Sequence, residues 1–174
     1  IDIGCGGGIL SEALTQRGAQ VTGIDMGEAP LAVAELHALD NQLTIEYKRI
    51  TAEQIALERP EQYDIVTCLE MLEHVPDPAA IVNACANLCK PGGHLYFATI
   101  NRNPKSYLFA IVGAEHILRL LPKGTHDYEK LIKPSELHHW IRASGLSLKN
   151  STGMTYNPLT QQYKLKWNNL DVNY

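Results

Sequence analysis

The sequence predicts an α/β fold with a doubly wound, mostly parallel sheet, and three observations lead to this class. Short β-branched runs alternate with stretches of helical apolar spacing along most of the chain. The run at residues 63–68 is almost continuously apolar, which is typical of a parallel strand buried on both faces. Residues 1–16 read as a strand end, a glycine-rich turn and a helix, a unit that opens many nucleotide-binding sheets.

The predicted strands and helices alternate in chain order. Each predicted strand is short and rich in β-branched or aromatic residues, and each predicted helix has apolar residues three and four positions apart. Glycine or proline marks most of the helix ends. The predicted elements are strands at residues 1–3, 20–24, 43–47, 63–68 and 94–100, helices at 9–16, 29–39, 78–89, 106–121 and 134–144, and a strand-like tail at 146–174.

Length and composition narrow the functional classes. The 174 residues have the size of one domain, 1–174, whose first strand is incomplete and which has a helical insertion at about 102–132. The net charge of −4 argues against a nucleic-acid-binding surface, which needs a basic excess. The four cysteines form no CxxC pair, which predicts free thiols in a reducing, cytoplasmic compartment and no zinc or redox pair.

The glycine-rich turn reads I-D-I-G-C-G-G-G at residues 1–8. Glycines permit positive φ and the close approach of a ligand to the backbone. A dinucleotide fingerprint, as in an NAD-dependent oxidoreductase, needs a small residue where this chain has Ile9, so it fits poorly. The alternative is the acid-x-G-x-G-x-G pattern that S-adenosylmethionine (SAM) methyltransferases carry. Here that pattern consists of Asp2, Gly4, Gly6 and Gly8.

Asp25 follows the second predicted strand, at the position where a carboxylate accepts both hydroxyls of a ribose. The alternative is that Asp25 only caps the helix beginning near Gly27. An intact glycine loop followed by this acid favours a SAM-binding enzyme over a non-catalytic scaffold subunit. In the wider group the adenine-contacting turn often has an Asp where this chain has Thr51, so the contact falls to the backbone near Ala52 or to Glu53.

Several stretches resemble one family, the ubiquinone biosynthesis O-methyltransferases, and the resemblance covers essentially the whole chain. The most specific are E-M-L-E-H-V-P-D-P at residues 70–78 and P-K-G-T-H-D at residues 122–127. The others are D-I-G-C-G-G-G-I-L, V-T-G-I-D-M-G, Y-D-I-V-T-C-L, K-P-G-G, N-R-N-P-K-S, V-G-A-E-H-I-L-R and the closing D-V-N-Y.

The resemblance implies a Rossmann-like class I methyltransferase fold, with a seven-stranded sheet and an antiparallel C-terminal hairpin strand. It implies methyl transfer from SAM to a phenol hydroxyl of polyprenylated intermediates, 2-polyprenyl-6-hydroxyphenol and 3-demethylubiquinol. Another small phenol or quinol is the alternative substrate. The resemblance also implies cofactor contacts at Gly4, Asp25 and Leu69, contact with other ubiquinone-biosynthesis proteins, and an N-terminal segment of the family that is missing from this sequence.

Methylating a phenol requires removing its proton, because a free phenol has a pKa near ~10 and the phenolate is the nucleophile. Glu70, Glu73 and His74 follow the fourth predicted strand and would share one face of a helical turn. Two carboxylates and an imidazole suit Mg²⁺, Mn²⁺ or Zn²⁺, and the resemblance favours Mg²⁺. His74 acting alone as general base is the second interpretation, and a solvated turn with His74 against Pro76 is the third.

The helix predicted at 106–121 is apolar all round in its first half and has one polar stripe in its second. Basic residues flank the segment 105–123, a composition typical of a helix in a membrane interface near anionic lipid. A lid helix buried against the sheet is the alternative. The first interpretation predicts peripheral association with the inner membrane face. The basic residues are Arg102, Lys105, Arg119 and Lys123, and the residues expected to close over the substrate are His126 and Asp127.

Overall fold

The computed structural model describes residues 1–106, 128–157, 162–167 and 169–174. The chain divides into two compact units. The first comprises Ile1–Met71 and Ala80–Phe97, and the second comprises Leu72–Ala79 and Ala98–Tyr174. The helix predicted at 106–121 falls almost entirely outside the described residues.

The first unit is built on a five-stranded sheet with the strand order β3-β2-β1-β4-β5. β1 pairs in parallel with both β2 and β4, and β2 pairs in parallel with β3. Ile3 lies opposite Ile24 on one side and Cys68 on the other. The strands are β1 (Asp2–Ile3), β2 (Thr22–Asp25), β3 (Glu46–Arg49), β4 (Tyr63–Leu69) and β5 (Cys89–Ala98).

Helices connect these strands, as expected for a doubly wound sheet. α3 was not predicted, although its sequence carries a capping box: the Thr51 hydroxyl accepts from the Gln54 N–H, and the Gln54 side chain accepts from the Thr51 N–H. α1 and α2 begin after Gly8 and Gly27, and neither has a side-chain cap. The four helices are α1 (Ile9–Thr15), α2 (Glu28–Asp40), α3 (Ala52–Glu58) and α4 (Pro78–Leu88).

The core of the first unit joins the central strands to the helices. Ile3, Ile24 and Val66 are each 1% exposed. Burying side chains of this size contributes roughly 1.5–3 kcal/mol each, so the central strands contribute substantially to the stability of this unit. None of the four cysteines forms a disulfide, and Cys68 and Cys85 are fully buried.

The second unit has a short 3-10 turn (Leu72–His74), α5 (Pro104–Ser106), a further 3-10 turn (Tyr128–Lys130), α6 (Pro134–Ala143), and the antiparallel strands β6 (Thr152–Asn157) and β7 (Gln162–Trp167). Asn173 near the C-terminus makes antiparallel bridges to Ile100 and Met154. Gly153 is required beside this segment, because a Cβ there would collide with the Asn169 carbonyl oxygen.

The α/β class and the mostly parallel sheet are confirmed. The antiparallel C-terminal hairpin is also confirmed, but among the described residues β6 and β7 form a separate two-stranded sheet and not part of the predicted seven-stranded sheet. Two predicted strand boundaries are also wrong. The strand expected at 43–47 is Glu46–Arg49, and the strand expected at 94–100 already begins at Cys89, so Pro91 and the two following glycines lie within it.

An ion pair in the first unit predicts how the stability of the fold depends on pH. The Arg59 guanidinium donates to both oxygens of Glu46, at 2.7 and 2.8 Å, and lowers the pKa of that carboxyl to about 2. A depressed carboxyl pKa stabilises the folded state above the unfolded-state pKa and loses that effect as pH falls towards 2. The pair is partly exposed, so its contribution is below about 1 kcal/mol.

We therefore expect Arg59→Gln to lower the free energy of unfolding at pH 7, and we expect this difference to shrink as pH falls towards 2. Urea titrations of both proteins across this range measure the difference. Arg17 donates to the Ala13 carbonyl, so Arg17→Gln is a control with no such pH dependence. A difference between Arg59→Gln and wild type that is constant with pH would contradict the assignment.

Candidate active site

Three strands of the first unit end together at the carboxyl edge of its sheet. β1 lies between β2 and β4, and the strand order reverses at this point. After β1, Gly4 and Cys5 both donate their backbone N–H to the Ile24 carbonyl at 2.9 Å. In open α/β sheets, ligands bind in the crevice at such a reversal, which places the candidate site at the glycine loop.

The glycine loop, residues 4–8, uses three glycines in the left-handed region. The φ angles of Gly4, Gly6 and Gly8 are +72°, +51° and +81°. A Cβ on Gly4 would lie 2.6 Å from Met71 Cγ, whereas a Cβ on Gly6 would have nothing within 4 Å. Gly4 is therefore required by packing, and Gly6 leaves open space in front of the loop where a ligand could approach.

Asp25 holds the glycine loop and the start of α2 with one carboxylate. Its Oδ2 accepts from the Gly6 N–H at 2.9 Å and its Oδ1 accepts from the Gly27 N–H at 2.7 Å. The second bond holds Gly27, the residue before α2, but it is not a side-chain cap of the helix, so the capping interpretation is not confirmed. An ionised carboxylate has about four acceptor positions, and the two bonds leave about two for further donors.

Asp2 lies in the core, 3% exposed. Its Oδ2 accepts from the Ser11 hydroxyl at 2.8 Å and its Oδ1 from the Thr67 hydroxyl at 2.7 Å. Burial raises the pKa of this carboxyl, and the two hydroxyls oppose that shift. Both oxygens are engaged inside the protein, so a direct contact between Asp2 and a cofactor stays a prediction.

Tyr47 on β3 extends beneath the glycine loop. A Cβ on Gly8 would collide with the Tyr47 hydroxyl, and a Cβ on Gly23 would lie 2.7 Å from Tyr47 Cε1. Burial raises the pKa of the Tyr47 hydroxyl to about 12, against an opposing contribution from the nearby Ser11 hydroxyl. Gly8 is therefore needed for packing against Tyr47, a requirement that the sequence motif does not reveal.

Arg49 is a second residue that sequence reasoning missed. It follows from the pairing of β2 with β3, which places Asp25 opposite Arg49. Arg49 Nε donates to the Met26 carbonyl at 3.1 Å, and Nη1 donates to the Glu28 carboxylate at 3.1 Å. These bonds hold the turn after Asp25, where the Met26 side chain is left 54% exposed.

Leu69 and Ala52, two further predicted cofactor contacts, lie at the ends of elements of the first unit. Leu69 is the last residue of β4 and is partly exposed. Ala52 is the first residue of α3 and is 2% exposed, so its methyl group belongs to the core and only its backbone remains for a ligand. Both contacts stay predictions.

Glu70, Glu73 and His74 do not form the helical face that the sequence suggested. Glu70 has a φ of +51°, so it is not part of a helical turn, and the 3-10 turn begins at Leu72. Glu73 is 3% exposed, whereas Glu70 and His74 are exposed. Nowhere in the described ranges is there a group of three or more His, Cys, Asp or Glu side chains that could hold a metal ion.

Glu73 is anchored within the second unit. Its Oε2 accepts from the Thr99 hydroxyl at 2.8 Å, and both residues are buried. Its Oε1 is buried and has no hydrogen-bond partner in the described part of the chain. Thr99 in turn exchanges two backbone hydrogen bonds with Tyr174, at 3.0 and 3.1 Å, so Glu73 fixes the turn that carries His74.

The predicted substrate lid lies mostly outside the described residues, including Arg119, Lys123, His126 and Asp127. Arg102, one of the basic residues expected near lipid, is described. It donates to the Glu129 carbonyl at 2.9 Å and to the Glu136 carboxylate, so its charge is already paired. In the residues the structure covers, no helix has the length and apolar character needed to cross a membrane.

An open groove of about 810 Å³ lies at the other edge of the first unit's sheet, where the strands begin. Its lining includes Ile1 and Val21, which immediately precede β1 and β2, and Ile65 of β4. It is remote from the carboxyl ends that carry the glycine loop and Asp25, so we do not assign it to the candidate site.

The chain is similar in sequence to known methyltransferases. A family model for a methyltransferase domain matches residues 1–97. The ubiquinone biosynthesis O-methyltransferase of Stutzerimonas stutzeri is 67% identical over all 174 residues, which cover 75% of that protein. The chain belongs to the ubiquinone biosynthesis O-methyltransferase family. A Pseudomonas entomophila member of this family is 64% identical over the same 174 residues, again 75% of its length.

Comparison with solved structures shows that this member of the ubiquinone biosynthesis O-methyltransferase family shares its fold with other methyltransferases. Magnesium protoporphyrin IX methyltransferase from Synechocystis, solved with bound SAH, has a TM-score of 0.67 at 24% identity, with 99% of this chain and 70% of that chain covered. A possible histamine N-methyltransferase from Thermotoga maritima has a TM-score of 0.72 at 17% identity, with 99% and 76% covered. At these identities the similarity concerns the fold alone.

Proposed function

We propose that this chain transfers a methyl group from SAM to a phenol hydroxyl of polyprenylated ubiquinone precursors. The substrates are 2-polyprenyl-6-hydroxyphenol and 3-demethylubiquinol. The observation that carries the SAM part is the Asp25 carboxylate, which has about two acceptor positions left beside the open face of Gly6. Two adjacent ribose hydroxyls fill such a pair of acceptors. The relatives' shared name supports the substrate class.

The residues present fit the cofactor. The backbone of Gly4, Gly6 and Gly8 would hold the amino-acid end of SAM, and Asp25 would accept from the ribose hydroxyls. Leu69 and the backbone at Ala52 would contact the remaining nucleoside. When bound, SAM supplies an electrophilic methyl group on a sulfonium. The chain's own part is to orient this group and to take the proton from the phenol.

His74 is the proposed general base that accepts the phenol proton. It is exposed at the end of the turn Leu72–His74, whose position the buried Glu73–Thr99 hydrogen bond fixes. The alternative is a divalent cation, Mg²⁺ first, that acidifies the phenol by coordination. The described residues show no assembled site for it, but the unpartnered Oε1 of Glu73 is the kind of oxygen a cation would bind.

Calorimetric titration with SAM and, separately, with NADH tests the cofactor assignment, and transfer of a labelled methyl group to a short-chain polyprenyl catechol tests the reaction. We expect SAM binding, no NADH binding and a methylated product. Binding of NADH without SAM would overturn the proposal, and SAM binding without methylation of any phenol would overturn the substrate class.

The same assay separates the two routes to the phenolate. With His74 as the base, His74→Ala lowers kcat by about 10²–10⁴-fold, and excess chelator leaves turnover unchanged. With a cation, chelator abolishes turnover and added Mg²⁺ restores it. His138→Ala is a matched control, because His138 lies on α6 and its Nε2 contacts the Ser151 hydroxyl.

Peripheral contact of segment 105–123 with anionic lipid is a further part of the proposal, as is contact with other ubiquinone-biosynthesis proteins. The support is the basic and apolar composition of that segment. Flotation with vesicles containing anionic lipid, comparing Leu120→Glu with the unaltered protein, measures the lipid contact. Equal flotation of the two proteins would remove it.

A further inference from the structure

The two ends of the glycine loop are tied together inside the core. Asp2 lies two residues before the loop, and Ser11 lies three residues after it, in the first turns of α1. The hydrogen bond of 2.8 Å from the Ser11 hydroxyl to Asp2 Oδ2 closes the base of the loop. Ser11 is fully buried, so this bond is shielded from competition by water.

Thr67 connects the same carboxylate to the neighbouring strand. It lies opposite Asp2 in the β1–β4 pairing, and its hydroxyl donates to Asp2 Oδ1 at 2.7 Å. Thr67 is 6% exposed. Each oxygen of the buried carboxylate thus receives one hydroxyl donor, one from a helix and one from a strand.

A loop with glycines at three positive φ angles has much conformational freedom to lose when it becomes ordered around a ligand. Fixing both of its ends reduces that loss before the ligand arrives, and preorganisation of this kind raises affinity. The hydrogen-bonded residues of this tie are buried, whereas a Cβ on Gly6 would have nothing within 4 Å.

We propose that Ser11 and Thr67 are positioning residues for SAM, which act through Asp2 by holding the glycine loop in its binding conformation. This inference rests on the proposed function of the loop as the SAM site. It assigns Asp2 an indirect role, and it gives a role to two hydroxyls that no cofactor motif includes. The effect belongs to cofactor binding, so kcat at saturating SAM should change little.

The test is calorimetric SAM binding by Thr67→Val and Ser11→Ala, together with the Michaelis constant for SAM and kcat. Thr22→Val is the matched control. Thr22 is also 6% exposed, and its hydroxyl donates to Glu46 at 3.0 Å, away from the loop. We expect Thr67→Val and Ser11→Ala to raise Kd and KM for SAM about tenfold each, and Thr22→Val to change them less than about twofold.

Thr67→Ser keeps the hydroxyl and should restore near wild-type affinity, which a general packing defect would not allow. If Thr67→Val does not fold, Ser11→Ala carries the same comparison. Wild-type binding of SAM together with equal Kd values for the Thr67, Ser11 and Thr22 variants would overturn this inference alone. Failure of the wild-type protein to bind SAM would overturn the proposed function and this inference with it.

Discussion

Replacing Asp25 with alanine should raise the Kd for SAM at least about a hundredfold, the largest effect on cofactor affinity that we expect from a single substitution. A hydrogen bond to an ionised group contributes about 1.5–3 kcal/mol, and Asp25 is assigned two of them to the ribose. The same substitution also removes the acceptors for the Gly6 and Gly27 N–H groups. The glycine loop and the start of α2 would both lose the carboxylate that accepts a hydrogen bond from each of them.

The comparison needs an acid of similar size that lies elsewhere on the same sheet. Asp64 meets this requirement, because it lies near the start of β4 and its carboxylate accepts from Lys90 Nζ at 2.8 Å. We expect Asp64→Ala to bind SAM as the wild-type protein does. Asp25→Asn keeps one acceptor oxygen and should fall between the two. An Asp25→Ala protein with wild-type Kd would refute the ribose assignment.

Gly8→Ala should be the most destabilising single methyl addition in the loop. The new Cβ would lie 2.9 Å from the Cβ of Ala34 and would collide with the Tyr47 hydroxyl, and the residue would keep a φ of +81°. Strain of this kind costs about 1–3 kcal/mol for the backbone, and overpacking adds a similar amount. We expect the free energy of unfolding to fall by about 2–5 kcal/mol in urea titrations.

Two further variants separate the causes. Gly18→Ala has a φ of +92° but nothing within 4 Å of its Cβ, so it reports the backbone strain alone, about 1 kcal/mol. Tyr47→Phe removes the hydroxyl that the new methyl would meet, so the Gly8→Ala/Tyr47→Phe double variant should regain part of the loss. Equal stability of Gly8→Ala and Gly18→Ala would mean that Tyr47 and Ala34 do not constrain the loop.

Much of the fold could be predicted because periodicity reports burial directly. The apolar run 63–68 became most of β4, and the helical spacing at 134–144 became α6. α3 was missed because its seven residues are too short to show a clear period, although the Thr51–Gln54 capping box marks its start. The β3 boundary was misplaced because the exposed and half-buried residues of Glu46–Arg49 show no apolar alternation.

The candidate site could be predicted only where a residue type dictates the backbone or the chemistry. The pairing of Asp25 with the glycine loop follows from the motif, and the hydrogen bond to Gly6 agrees with it. A sequence motif does not show how deeply its residues are buried, so the burial of Asp2 was not predicted. The prediction that Glu70, Glu73 and His74 share one face required a helical turn. The positive φ of Glu70 excludes such a turn.

The Tyr47 ring limits which side chains can be accommodated at positions 8 and 23. It occupies the space where side chains at Gly8 and Gly23 would otherwise extend, although the three residues come from a loop and two strands. A larger residue at either glycine can be accommodated only if the ring shrinks or moves. Among homologues, positions 8, 23 and 47 should therefore covary in side-chain volume, and the glycines should vary most freely where the aromatic ring is absent.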